Sequence, residues 1–248
     1  MAEPHISLAA EKIGTLGGLP ITNSIFLTWL VMLFLTVFTI LATRRITLVP
    51  SSLQSIAEML LDGLHTLFKS VVGEHHIEAF FPLLATIFIF IAASNWSGLL
   101  PGVGTVGFTK MVTGKSEFRP LLRGPTADLN TTLGIALISF FSMQYFGFSN
   151  LGGAYIKKYI NLSNPIMFFV GLLEIVSDLS KILSFAFRLF GNIFAGEVLL
   201  TVIAFLMPLI APLPFLGLEL FVGFIQALVF SMLTAVFLNM SVAKHEGH

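Results

Sequence analysis

Residues 166–207 read IMFFVGLLEIVSDLSKILSFAFRLFGNIFAGEVLLTVIAFLM, and this stretch decides the fold. It contains no proline and keeps a helical pattern throughout. About 42 residues at a rise of about 1.5 Å each give a rod about 63 Å long. The hydrocarbon core of a bilayer is only about 30 Å thick. A helix of this length must tilt strongly, bend or project from the membrane. It also carries polar residues: Glu174, Asp178, Lys181, Arg188 and Asn192. At about 100° per residue they share one face within roughly 80°, while Glu197 lies about 140° round from Glu174.

An ionisable side chain in a membrane helix costs about 2.5–3.5 kcal/mol on insertion scales, so it faces a partner, a water-filled cavity or an ion path. A structural ion pair is the competing reading for Lys181 with Asp178 or Glu174. Arg188 resists that explanation. Its nearest charged neighbour on the stripe is Lys181, itself a cation two turns away. Arginine stays protonated at any accessible pH, so it needs a carboxylate from elsewhere. Ala186, Gly191, Ala195 and Gly196 accompany it, and small residues let another helix approach closely. The pattern predicts a surface that receives a partner helix bearing negative charge.

The rest of the chain agrees with a membrane protein. Of 248 residues, 56% are hydrophobic and 10% charged, whereas a soluble domain carries about 25% charged residues. Mean hydropathy is +0.93. There is no cysteine, so disulfide and thiol chemistry are excluded. Net charge is zero and no basic tail points to nucleic acid. The expected fold class is an all-α integral membrane protein with about five transmembrane helices and one interfacial amphipathic helix. Residues 1–24 form a polar N-terminal segment, expected not to be a cleavable signal, and 25–248 a single membrane domain. Helices are expected over about 25–43, 51–72, 79–100, 128–149, 165–207 and 215–243, the last two as a long, strongly tilted hairpin turning at Pro208, Pro212 and Pro214.

The second of these differs from the others. Leu53, Ile56, Leu60, Leu64, Leu67, Phe68 and Val71 recur at helical spacing, with Gln54, Glu58, Asp62, His65 and Lys69 opposite. Such a helix lies in the interface rather than crossing. Ser51 and Gln54 resemble a capping box. Residues 102–125 and the stretch NLGGAYIKKYINLSNP, residues 150–165, are expected as loops. Asn130, Thr131, Thr132, Ser139, Ser142 and Gln144 turn the 128–149 helix toward protein. Arg44 and Arg45 directly follow the first span, which places them inside and the N-terminus outside. The full count is less decisive: with Lys69, Lys157, Lys158 and Lys244 six fall inside, against five outside, Lys12, Lys110, Lys115, Arg119 and Arg123.

The segment SFAFRLFGNIFAGE, residues 184–197, resembles the signature of subunit a of F-type ATP synthases. SNWSGLLPG at 94–102, PTADLNTTLGIAL at 125–137 and FIQALVFSMLTAVFL at 224–238 match the same family in the same order. The resemblance implies a stator subunit of a rotary motor, in a bacterial inner membrane, with the C-terminus cytoplasmic. Its implied partners are a ring of c subunits, b-type peripheral stalk subunits and the rest of the complex. It implies no cofactor, and no phosphoryl transfer by this chain. Arg188 matches the family's essential arginine, facing the carboxylates of the ring and separating two aqueous half-channels. Glu197 and Glu219 match positions of the entry path, where many relatives carry one histidine. Asn192 and Gln226 match polar positions near the arginine, expected to hydrogen-bond it or water. Glu174, Asp178, Lys181 and Ser184 match the exit side.

Other signals are weaker. Glu74, His75, His76 and Glu78 fit no standard metal spacing and read as a hydrated helix boundary, and His245 and His248 as a polar tail. Asp128 stands where a helix begins and reads as its cap. The competing function is a self-contained channel or secondary transporter. A voltage sensor would repeat arginines along one helix, and a transporter would show repeated halves. An intramembrane enzyme would need a nucleophile–base pair or a metal motif. None of these features is evident in the sequence.

Overall fold

In the computed structural model, residues 7, 9–44, 46–112, 115–159, 165–207 and 210–242 are described. Arg45, Pro208 and the tail with Lys244, His245 and His248 lie outside them, as do the side chains of Lys110, Lys115, Glu117, Lys157 and Lys158.

The chain begins with a β-hairpin, β1 (Lys12–Leu16) and β2 (Leu19–Thr22). It continues through α1 (Asn23–Thr43), α2 (Ser52–Val72) and α3 (Ile77–Gly98). A second antiparallel hairpin follows, β3 (Gly107–Val112) with β4 (Lys115–Pro120). A short 3-10 turn, Pro125–Ala127, leads to α4 (Leu129–Leu151) and α5 (Gly153–Tyr159). The chain then forms α6 (Pro165–Leu206) and α7 (Pro212–Val242).

Among the described residues five helices, α1, α3, α4, α6 and α7, are long and apolar enough to cross a membrane. The amphipathic α2 is not one of them. The structure is therefore the expected all-α membrane architecture. α6 runs 42 residues and α7 31 residues, matching the two long helices expected from sequence.

The core lies where α3, α4, α6 and α7 meet. Phe80, Leu84 and Ile91 of α3, Ala136 of α4, Phe185 and Leu189 of α6, and Phe230 and Leu238 of α7 are all buried. Phe185 meets Phe230 with ring centroids 4.9 Å apart, and Phe80 meets Phe146 at 4.8 Å. Aromatic pairs at this separation add to the area they bury. Only the C-terminal half of α2's apolar face joins this core, through Leu64, Phe68 and Val72; Leu53, Ile56 and Leu60 stay exposed.

Several local expectations need correction. The Ser51 hydroxyl accepts from the Gln54 amide at 3.4 Å, but the Gln54 side chain turns away to Thr47 and Glu58, so half of the capping box forms. The stretch 102–125 holds the β3–β4 hairpin, because a hairpin pairs its own backbone without needing a long apolar run. The loop after α4 contains α5, a helix of 7 residues or about two turns. α7 starts three residues before the expected Phe215, since proline is tolerated in a first helical turn. The N-terminal segment also forms a hairpin. Its turn is Gly17–Gly18, with φ of 56° and 90°, and a two-residue turn with both φ positive matches the twist of the flanking strands.

Asp128 does cap α4: its Oδ1 accepts from the Asn130 amide at 3.0 Å. Its other oxygen accepts from Ser24 of α1 at 2.5 Å. One buried carboxylate thus starts one helix and anchors another. Next to it, Asn23 bonds Glu11 in both directions through its backbone amide and its Oδ1, and Pro120 through Nδ2.

Candidate functional site: a polar seam between α6 and α7

α6 and α7 pack antiparallel, so polar residues on the two helices meet at matching levels. The seam has three levels along α6.

The first level holds Glu174, Asp178 and Lys181. Lys181 Nζ lies 2.7 Å from Asp178 Oδ1, the ion pair weighed from sequence. Asp178 Oδ2 accepts from Tyr159 at 2.7 Å and from Gln144 at 3.3 Å. Tyr155 donates to the same Gln144 at 3.0 Å. Burial, then hydrogen bonds to Tyr155 and Asp178, push the Tyr159 hydroxyl well above the ordinary tyrosine range. It remains a neutral donor to Asp178. A cavity of about 150 Å³ opens here, lined by Gln144, Tyr155, Glu174, Asp178, Lys181 and Ser241 among others. Phe140, Met143, Phe237 and Met240 complete a mixed lining, whose polar part offers partners for water.

The second level is Arg188. Its Nη2 donates to Ser184 Oγ at 3.3 Å. Among the described residues no carboxylate lies within 4.0 Å of it. Asn192 and Gln226 were expected to bond the arginine or water. They bond each other, Asn192 Nδ2 to Gln226 Oε1 at 2.7 Å. The face of α6 around Arg188 is uncovered: Ser184, Phe187, Gly191, Asn192 and Ala195 are all exposed. A Cβ built on Gly191 would meet nothing within 4 Å. The four small residues therefore divide. Gly191 and Ala195 stand open, whereas Ala186 and Gly196 are buried inside the chain's own fold.

The third level gathers Glu197, Glu219, Arg123 and Asn95. Glu219 is buried and packs directly on Gly196, where any Cβ would collide with its carboxylate. Asn95 Nδ2 donates to the carbonyl of Gly223 at 2.7 Å, and Trp96 Nε1 to that of Leu220 at 3.1 Å. A Cβ on Gly223 would stand 3.1 Å from the Cβ of Asn95, so this glycine sets the approach of α3 to α7. Glu219, Gly223 and Gln226 share one buried face, as their spacing required. Arg123, read from sequence as a loop charge, is buried, with Nε 3.9 Å from Glu197 Oε2.

The sequence reading missed Arg123, Asn95, Tyr155 and Tyr159. Asn95 was findable, being an amide in the middle of an apolar span. Arg123 was not, because its partner lies far along the chain. The cluster at 74–78 resolves into separate surface contacts. Lys69 meets Glu74 at 2.9 Å and holds its carboxyl below the usual range, His65 faces Glu78 at 3.8 Å, and His76 stacks on Phe80.

Chemically, the seam offers titratable groups at both ends and one permanent cation at an uncovered middle. The sequence also matches the family model described as ATP synthase A chain over residues 25–239, nearly the whole of the helical architecture that carries the seam. The chain belongs to that family, and is a non-catalytic stator subunit in the membrane sector of an ATP synthase.

Proposed function

We propose that the seam provides two aqueous half-channels that carry protons to and from carboxylates on a ring of c subunits. Glu197 and Glu219, with Asn95 nearby, line the entry path. Glu174, Asp178 and Lys181 line the exit path, and Ser184 supports Arg188 on that side. Asn192 and Gln226 form a neutral bridge between them. Arg188 faces each ring carboxylate in turn. An opposite charge within about 4–6 Å favours the ionised form, so Arg188 promotes release of the arriving proton. Guanidinium does not deprotonate, so it blocks direct passage between the half-channels. The membrane is a bacterial inner membrane, with the N-terminus outside and the C-terminus cytoplasmic, and b-type subunits hold the stator.

The observation that carries this reading is an arginine on an uncovered face of α6, beside exposed Gly191 and Ala195, with no carboxylate within 4.0 Å among the described residues. Its counter-ion comes from another chain. The chain has no cysteine, which allows a direct test. Cysteine at Gly191 or Ala195 should form a disulfide in high yield with a cysteine beside the ring carboxylate. Cysteine at buried Ala186 should not. Equal yields at all three positions would reject this face as the contact.

Gly196→Ala should displace the Glu219 carboxylate while keeping its charge, and Glu219→Gln should remove the charge while keeping the shape. Both should slow ATP-driven pumping in inverted vesicles about 3–10-fold, short of abolition, which is about 0.7–1.4 kcal/mol. Unchanged rates in both variants would remove Glu219 from the path.

A further inference from the structure

Arg123 is the least expected charge in the protein. It lies between β4 and the 3-10 turn, a stretch that sequence reads as a hydrated loop. Yet only 5% of it is exposed. A buried cation is costly unless it is paired, so its surroundings indicate what it does. Its Nη1 donates to the backbone carbonyl of Ala9 at 2.8 Å. Its guanidinium carbon stands 5.9 Å from the centre of the Phe194 ring, within cation–π range. Its Nε faces Glu197 at 3.9 Å.

These contacts differ in kind. The carbonyl of Ala9 cannot titrate, and the segment that bears it is anchored by the bonds between Glu11 and Asn23. The ring of Phe194 belongs to α6 itself. Arg123 is therefore fixed from the N-terminal segment on one side and from α6 on the other. The contact to Glu197 is too long for a hydrogen bond, and 43% of the Glu197 side chain remains exposed. The arginine holds this carboxylate by charge without occupying its lone pairs. A structural salt bridge would close to a bidentate pair and take the oxygens out of use.

We propose that Arg123 is a positioning residue for proton transfer at Glu197, steering that carboxylate toward the seam while leaving its oxygens open to water. The N-terminal segment then has a role as well: it fixes the cation that orients the entry carboxylate. This inference rests on the reading that Glu197 lines the entry half-channel.

The test is a double-mutant cycle in the assembled complex, reading ATP-driven acidification of inverted vesicles per assembled complex. Arg123→Gln should lower pumping about tenfold. Arg123→Lys, which keeps the charge, should retain at least half. In a Glu197→Gln background, Arg123→Gln should change the residual rate less than twofold, because two residues acting through one carboxylate are not additive. A glutamine variant within twofold of the parent would overturn the proposal. So would a lysine variant as impaired as the glutamine one, or losses that multiply in the double variant. Should Arg123→Gln fail to accumulate, the lysine variant decides: retained pumping supports a requirement for charge, and lost pumping overturns it. Glu197→Gln alone separates the two claims. If it leaves pumping unchanged, the entry reading of Glu197 fails; if it slows pumping while Arg123→Gln does not, only the positioning role fails.

Discussion

Arg188→Ala is expected to abolish ATP-driven proton pumping while the protein still inserts and assembles. Within its own chain the guanidinium donates to Ser184 and meets no carboxylate within 4.0 Å among the described residues. Alanine therefore breaks no internal ion pair, and it lowers the insertion cost by about 2.5–3.5 kcal/mol. On the proposed reading, the penalty falls on the ring carboxylate that faces Arg188. Leaving a buried charge without its partner costs about 3–5 kcal/mol, about two to four decades in rate. Arg188→Lys should restore little, because an ammonium loses its proton more readily when desolvated and lacks the planar fork. Vesicle acidification, normalised to membrane-bound protein, reads the result. Normal coupled pumping by the alanine variant would defeat the assignment.

The largest effect on stability is expected from Asp128→Ala. Losing the cap of α4 costs about 1 kcal/mol. The Ser24 hydroxyl, fully buried, loses its carboxylate acceptor and keeps only Thr22 Oγ1 at 3.0 Å, a loss of about 1–3 kcal/mol for a hydrogen bond to a charged group. The sum, about 2–4 kcal/mol, should appear as a lowered melting temperature of the detergent-solubilised protein and a smaller amount in the membrane. Asp128→Asn keeps an acceptor oxygen for either contact and should lose less than half as much. Pumping per assembled complex should be unchanged in both. An alanine variant that melts normally yet fails to pump would show that Asp128 serves transport rather than anchoring.

The spans and the polar stripe were legible because each is a one-dimensional pattern. An apolar run of sufficient length and a recurrence near 100° need no knowledge of the fold. The same holds for Glu219, Gly223 and Gln226, whose spacing puts them on one face. Arg123 and Glu197 are 74 positions apart, and nothing in either neighbourhood announces the other. Gly196 shows a subtler limit. Its size was correctly read as permitting close approach, but the approaching group is Glu219 of this chain rather than a foreign helix. The hairpins were missed because their strands are short; Gly17–Gly18 between two such runs was the available signal. For Gln54, local spacing predicted a cap partner, and the nearby Thr47 backbone won the side chain instead.

The amide bridge from Asn192 to Gln226 has an electrical consequence. Between Lys181 and Glu197, about 24 Å along α6, Arg188 is the one ionisable side chain of that helix. Facing it, α7 contributes Gln226, and between Glu219 and Val242 it bears no ionisable side chain. On the proposed reading of the seam, neutral amides and a guanidinium that never lets go of its proton would make this span an insulator, an open circuit in an otherwise conductive line. A complex whose rotor is stalled should therefore hold a pH gradient for as long as the surrounding lipid does.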